Sequence, residues 1–187
     1  MPTSQSPVLD PPASHLVLGG TRSGKSAFAE SAVLEALPSG GQAVYIATAE
    51  LFDDEMRVRA AAHQATRGTG WRTVETPLRL AEALQREAAP GTALLVDCLS
   101  VWLGNLLHHD TDVDAHIRDL LECVPALAAP VVFVSSEVGL GIVPDNALAR
   151  AYRDRAGILN QQVAAVCDRV TLVAAGLPLT LKTQPER

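Results

Sequence analysis

Eight consecutive residues, Gly19-Gly20-Thr21-Arg22-Ser23-Gly24-Lys25-Ser26, carry the clearest chemistry in the chain. A Gly-x4-Gly-Lys-Ser spacing follows the apolar run Leu16-Val17-Leu18 and leads into the helix-forming Ala27-Phe28-Ala29-Glu30. That is the strand–loop–helix setting in which backbone N–H groups wrap the phosphates of a nucleoside triphosphate and the helix N-terminus adds partial positive charge. Lys25 would reach the β- and γ-phosphates, and the Ser26 hydroxyl would bind Mg²⁺. Of the 15 basic residues only Lys25 and Lys182 are lysine, so a chain that otherwise uses arginine keeps a lysine inside the glycine loop. A second acid–metal element is Leu94-Leu95-Val96-Asp97, an apolar strand ending in a carboxylate. P-loop enzymes place their metal-side acid there. Capping of the following helix is the alternative use of Asp97.

The stretch Asp53–Arg67 is compatible with a helix, and a spacing of four puts Glu55, Arg59, His63 and Arg67 on one face. A solvated amphipathic face accounts for this pattern. The imidazole has a second capacity: a neutral histidine can attack phosphorus near neutral pH, and the phosphoramidate it forms passes its group onward. Spacing alone leaves both uses open. His15, at a strand start, and His108, His109 and His116, in a polar helix–loop region, receive no chemical role.

The elements that must position these groups alternate along the chain. Strands are expected at His15–Gly19, Ala43–Thr48, Arg72–Glu75, Ala93–Asp97, Val131–Ser135 and Arg169–Val173, with Leu177–Leu181 as an antiparallel edge strand held to the sheet margin by Pro178. Helices are expected at Lys25–Leu37, Asp53–Thr66, Pro77–Ala88, Leu99–His108, Asp112–Leu127 and Asn146–Val166, with Thr76 before Pro77 and Asp145-Asn146 after Pro144 as start signals. The alternation implies an α/β fold with a mostly parallel sheet covered on both faces. Ligands of such sheets sit beyond the carboxyl ends of the strands. Here those ends are Gly19, Thr48 to Glu50, Glu75, Asp97 and Ser136-Glu137.

The whole chain has 187 residues, 48% of them apolar, and a formal charge of −6. One domain from His15 to Arg187 is expected behind a disordered, Pro- and Ser-rich tail at Met1–Ser14. The acidic balance argues against a nucleic-acid-coating role. No apolar run approaches the roughly 20 residues a membrane helix needs, and the start lacks a signal-peptide pattern, which suggests a cytoplasmic protein. Cys98, Cys123 and Cys167 are far apart in apolar surroundings and read as buried reduced thiols.

Taken together, the phosphate loop, Tyr45-Ile46-Ala47-Thr48-Ala49, Asp53-Asp54-Glu55-Met56, His63, Trp71-Arg72-Thr73-Val74-Glu75 and Glu137-Val138-Gly139-Leu140-Gly141-Ile142-Val143-Pro144-Asp145-Asn146 form a specific pattern. It resembles the bifunctional adenosylcobinamide kinase/adenosylcobinamide-phosphate guanylyltransferase family of cobalamin biosynthesis, from about Ser14 to Lys182. The resemblance implies a RecA-like P-loop fold in a homotrimer and two reactions. In the first, the γ-phosphoryl group of ATP or GTP passes to the hydroxyl of adenosylcobinamide. In the second, the histidine matching His63 takes GMP from GTP, releases pyrophosphate, and hands GMP to adenosylcobinamide phosphate to give adenosylcobinamide-GDP. It also implies that Thr48, Ala49, Glu50, Arg67, Glu75 and Asp97 line the GTP site, and that Ser26 and Asp97 serve Mg²⁺. Ala60, where isoleucine is common, and Gly68, where proline is common, depart from the family pattern. The Gly139–Asn146 loop fits either a lid on the corrinoid side or a plain strand-to-helix connection. Two other readings use the phosphate loop alone: a kinase in which His63 is a surface residue, and a nucleotide-driven switch or assembly module.

Overall fold

A computed structural model describes residues 13–50 and 70–183. Residues 1–12 of the expected tail, the expected helix Asp53–Thr66, His63 and Arg67 lie outside the described residues. The strands are β1 (Ser14–Gly19), β2 (Gln42–Ala47), β3 (Trp71–Glu75), β4 (Thr92–Asp97), β5 (Val131–Ser136), β6 (Arg169–Ala174) and β7 (Leu177–Thr183). Helices α1 (Lys25–Ala36), α2 (Leu80–Glu87), α3 (Leu99–His108), α4 (Val113–Cys123) and α5 (Ala147–Val166) complete the described elements, with a 3₁₀ turn at Val124–Ala126.

The strands form one sheet in the order β3-β2-β4-β5-β1-β6-β7. Every pairing is parallel except β6 with β7, so the sheet is the mostly parallel one the alternation implied. Its inner strands β1, β2, β4 and β5 read as near-continuous apolar runs because both faces are covered, whereas the outermost strands β3 and β7 are largely exposed. On one face Val17, Tyr45, Leu95, Val132 and Val134 pack with Ala29 and Val33 of α1. On the other, Leu16, Ile46, Leu94, Val96 and Phe133 pack with Trp102, Leu103 and Leu106 of α3, Leu120 of α4 and Leu159 of α5. The period of two along each strand thus sends alternate residues to the phosphate-loop helix and to α3.

Tertiary contacts move several boundaries. β1 starts at Ser14, whose hydroxyl is 3.2 Å from Asp168 Oδ2, one residue before the expected start. β2 stops at Ala47, leaving Thr48 beyond its end. The helix expected from Pro77 begins at Leu80 without a side-chain cap, and Thr76 does not act as one. The Thr76 N–H instead donates to Ala47 O, while the carbonyls of Pro77 and Leu78 accept from side chains of α3, so the chain bends at Pro77 and Leu78 and turns helical only at Leu80. The helix expected over Asp112–Leu127 ends at Cys123, because Pro125 lacks the N–H a further turn needs. Asn146 caps α5, accepting from Ala149 N at 2.8 Å. Pro178 lies in the outer strand, as its missing N–H requires, and Ala175 (φ 52°) with Gly176 (φ 78°) makes the left-handed turn of a tight hairpin. Among the described residues no helix is long and apolar enough to cross a membrane.

Candidate active site

Gly19 to Ser26 connect β1 to α1, as the motif requires. Gly24 (φ 94°) and Arg22 (φ 57°) take left-handed conformations, so successive peptide groups curl into a concave loop. The loop is tied at three points. Glu137 N donates to Gly19 O at 3.1 Å, Ser23 N to Gly20 O at 3.3 Å, and Gly176 N, in the β6–β7 turn, to Ser23 O at 2.8 Å. Lys25 folds over it, its Nζ donating to Gly20 O at 3.1 Å. Gly19 is required by close approach: a Cβ there would lie 2.4 Å from Ser23 Oγ and 2.6 Å from Val173 O. Ser23 Oγ is buried and lacks a hydrogen-bond partner. Such a group costs about 1–3 kcal/mol, a cost an acceptor oxygen delivered to the loop would relieve.

Across the sheet, Glu75, Ala47 and Asp97 stand level in register on β3, β2 and β4. They share a face with Tyr45, two residues back on β2, whose hydroxyl donates to Asp97 Oδ2 at 2.9 Å. This is the face that α1 covers, so the Asp97 carboxylate and the phosphate loop lie on the same side of the sheet. β4 is two strands from β1 and β3 is four. At a spacing near 4.8 Å these offsets are about 10 Å and about 19 Å, the scale of an extended nucleoside triphosphate laid along the strand ends. The charges of Asp97 and Lys25 both act on the buried Cys98 thiol. Burial raises its pKa, Asp97 raises it further and Lys25 opposes them. Cys98 is therefore a neutral thiol rather than a nucleophile. Burial likewise lifts Cys123 to about 11 and Cys167 to about 12, and all three cysteines are free and buried, as expected from their surroundings.

A carboxylate on the α1 face and the Ser26 hydroxyl, in the first turn of α1, make an all-oxygen donor pair of the kind Mg²⁺ prefers when phosphates and water supply its other ligands. The residues present therefore fit that ion. No group of three or more His, Cys, Asp or Glu side chains among the described residues forms a protein-only metal cage.

Thr48, Ala49 and Glu50 leave β2 at the same carboxyl edge. The Thr48 hydroxyl donates to Cys98 O at 2.9 Å and accepts from Cys98 N at 2.8 Å, tying this exit to the end of β4. The structure thus brings together Gly19, Gly20, Thr21, Arg22, Ser23, Gly24, Lys25, Ser26, Thr48, Ala49, Glu50, Glu75 and Asp97 at one edge. Three residues there carried no assigned role in the sequence: Tyr45, Asn105 and His109. Tyr45 is concealed in a strand that looks apolar, whereas Asn105 was detectable as the one amide inside the apolar run Leu99–Leu107.

In the loop after β5, Leu140, Ile142 and Val143 are 87%, 97% and 61% exposed. Arg150 donates to Pro144 O at 2.9 Å and Asp145 O at 2.8 Å. Asp154, one turn further along α5, lies 3.5 Å from Arg153.

The model of the family described as cobinamide kinase / cobinamide phosphate guanyltransferase matches residues 15–181. The chain is 49% identical over 172 residues to the bifunctional adenosylcobalamin biosynthesis protein CobP of Pseudomonas aeruginosa, covering 91% of this chain and 98% of the relative. It is 38% identical over 182 residues to the bifunctional adenosylcobalamin biosynthesis protein CobU of Salmonella typhimurium, covering 89% and 98%. Among solved structures, the flagellar accessory protein FlaH of Methanocaldococcus jannaschii superposes with a TM-score of 0.51 at 11% identity, over 93% of this chain and 80% of that one. At that identity the likeness concerns the fold alone, a P-loop sheet.

Proposed function

The chain belongs to the cobinamide kinase / cobinamide phosphate guanyltransferase family, and from that premise we propose how its residues divide the two reactions. The protein is a bifunctional enzyme of adenosylcobalamin biosynthesis, a cobinamide kinase and cobinamide phosphate guanylyltransferase. The observation that carries the residue assignment is the register that sets Glu75 and Asp97 level on the face covered by α1, at the same sheet edge as the loop that holds Lys25.

In the kinase step the loop amides and Lys25 hold the triphosphate of ATP or GTP while the adenosylcobinamide hydroxyl attacks the γ-phosphorus. The O–P bond to the β-phosphate breaks and a nucleoside diphosphate leaves. Asp97 and Ser26 would hold Mg²⁺, which supplies charge neutralisation on the phosphates. In the second step a ring nitrogen of His63 attacks the α-phosphorus of GTP, the bond to the β-phosphate oxygen breaks and pyrophosphate leaves. A phosphate oxygen of adenosylcobinamide phosphate then attacks the same phosphorus and displaces the imidazole, giving adenosylcobinamide-GDP. Thr48, Ala49, Glu50, Arg67 and Glu75 are assigned to the nucleoside end, because the described members of this set lie just past the end of β2 and at the end of β3, away from the phosphate loop. Leu140, Ile142 and Val143 are assigned to the corrinoid side, where an apolar acceptor would cover them.

Incubation with α-labelled GTP and Mg²⁺ tests the division. An acid-labile, alkali-stable label on the wild type that disappears in His63→Ala is expected, and an active wild type without covalent label removes the nucleophile. Lys25→Ala is expected to lower both activities by about 10²-fold or more, since it removes a charge that faces the transferring phosphates in each step. A homotrimer in the cytoplasm completes the reading. Light scattering at three times the chain mass is the expected result, and a monomer would refute it.

A further inference from the structure

Helix α3 presents a row of hydrogen-bond donors to the exits of β2 and β3. Asn105 is 7% exposed, and its Nδ2 donates to Thr48 O at 2.7 Å and to Pro77 O at 3.1 Å. Both partners are carbonyls, so the amide nitrogen must face them and the orientation of the side chain is settled by chemistry. One turn later, His109 Nε2 lies 2.8 and 2.9 Å from the two carboxylate oxygens of Glu50. One turn earlier, Trp102 Nε1 donates to Leu78 O at 2.8 Å. Steps of three and four place these residues on one side of the helix.

The row joins two segments just beyond the backbone bond from Thr76 N to Ala47 O, 2.8 Å, that closes the β2–β3 ladder. Thr48–Glu50 continues from β2, and Pro77–Leu78 follows Glu75 by two and three residues, so the two segments carry the described groups assigned above to the nucleoside end. None of these bonds reaches Gly19–Ser26. Instead, the phosphate loop is held by Glu137 N and Gly176 N. Cradle and nucleoside wall are thus positioned by separate devices.

We propose that Asn105, assisted by His109, is a positioning residue for guanylyl transfer: it clasps the exits of β2 and β3 so that Thr48–Glu50 and Glu75 meet the guanosine end of GTP in one geometry. The inference rests on the two-step reading above. The kinase step needs the γ-phosphorus placed against the acceptor, which the phosphate loop does by itself. The guanylyl step needs the α-phosphorus placed, and that depends on where the nucleoside is held. Loss of the clasp leaves two backbone carbonyls without their donor and frees the two segments to shift, and misplacement by about 1 Å costs a reaction on the order of 10²-fold.

The test uses the full chain and reads the two activities separately: cobinamide phosphorylation, and covalent GMP attachment with pyrophosphate release at saturating GTP. Asn105→Ala is expected to slow GMP attachment by about 10- to 100-fold and to leave phosphorylation within about threefold of wild type. His109→Leu, at a half-exposed site, is expected to slow attachment by about tenfold, and His109→Gln to restore most of it because its amide can still donate to Glu50. If Asn105→Ala does not fold, the His109 pair decides. Equal losses in both activities would reduce the clasp to a structural role, and wild-type GMP attachment in His109→Leu and Asn105→Ala would overturn the proposal while leaving the enzyme's function intact. A wild type that phosphorylates cobinamide but never carries GMP would overturn the covalent guanylyl step itself, and this inference with it.

Discussion

Tyr45 has no obvious part in a strand of Ala, Val and Ile, yet its hydroxyl is held 2.9 Å from Asp97 Oδ2. A carboxylate that serves a cation from one side needs its orientation set from another, and in the Mg²⁺ role proposed for Asp97 this phenol would do so. Tyr45→Phe keeps the ring and its edge-to-face contact with Trp71, 6.4 Å between centroids, so the fold should survive. Its expected effect is on the ion: the Mg²⁺ concentration for half-maximal nucleotide binding should rise by about tenfold, measured by titrating Mg²⁺ against binding of a fluorescent GTP analogue. An unchanged Mg²⁺ requirement would show that Asp97 is oriented without the hydroxyl. The loop lysine teaches the complementary lesson. Its proposed role on the phosphates rests on spacing, because a Gly-x4-Gly-Lys-Ser stretch between strand and helix has few other uses.

Among the elements, the β6–β7 hairpin does more than close an edge of the sheet. Its turn brings Gly176 N to Ser23 O, and a Cβ on Gly24 would meet Gly176 Cα at 3.2 Å, so the hairpin tip buttresses the phosphate loop. Gly176 has φ 78° with open space around its missing Cβ, so the cost of a side chain there is conformational rather than steric. Gly176→Ala is expected to destabilise the chain by about 1–2 kcal/mol and to weaken ATP and GTP binding together, as read by denaturant unfolding and nucleotide titration. Unequal effects on the two nucleotides would contradict a role confined to the phosphates they share. Helix α3 has the corresponding part on the other side. Its Trp102, Leu103 and Leu106 fill the core while Trp102 Nε1, Asn105 and His109 hold the strand exits, so one helix supplies both packing and alignment.

At the scale of the whole molecule, acid stability turns on His15 of β1, which is 2% exposed with Nε2 2.9 Å from Thr171 Oγ1 of β6. Burial first, and the charge of Arg169 second, lower its pKa from 6.5 to about 4. The unfolded chain therefore takes up the proton before the folded one. The contribution is fully present above pH 6.5, falls as the pH drops toward 4, and levels off below that. Its size is roughly 3 kcal/mol. Denaturant unfolding without nucleotide should show this loss between pH 6.5 and 4, and His15→Gln should flatten it. An identical acid limb in the variant would assign the loss to other groups.

By itself the sequence determined the phosphate loop, the strand–helix alternation, the antiparallel edge and the family, because each is written in local spacing: glycines at a fixed interval, apolar runs of strand length, a proline that only an outer strand tolerates. It also located the strand ends at Gly19 and Asp97, since a run of apolar residues stops where burial stops. What only the tertiary structure decided is which ends stand together. Strand order is set by packing between segments distant in sequence, and no local pattern says that β4 lies two strands from β1 or that Glu75 is level with Asp97. The helix expected at Pro77 began later for the same reason, its first carbonyls having been captured by Asn105 and Trp102 from another element. Hydrogen bonds of this kind exist only after the sheet has formed, so a residue such as Asn105 shows its polarity in the sequence and its purpose only in the fold.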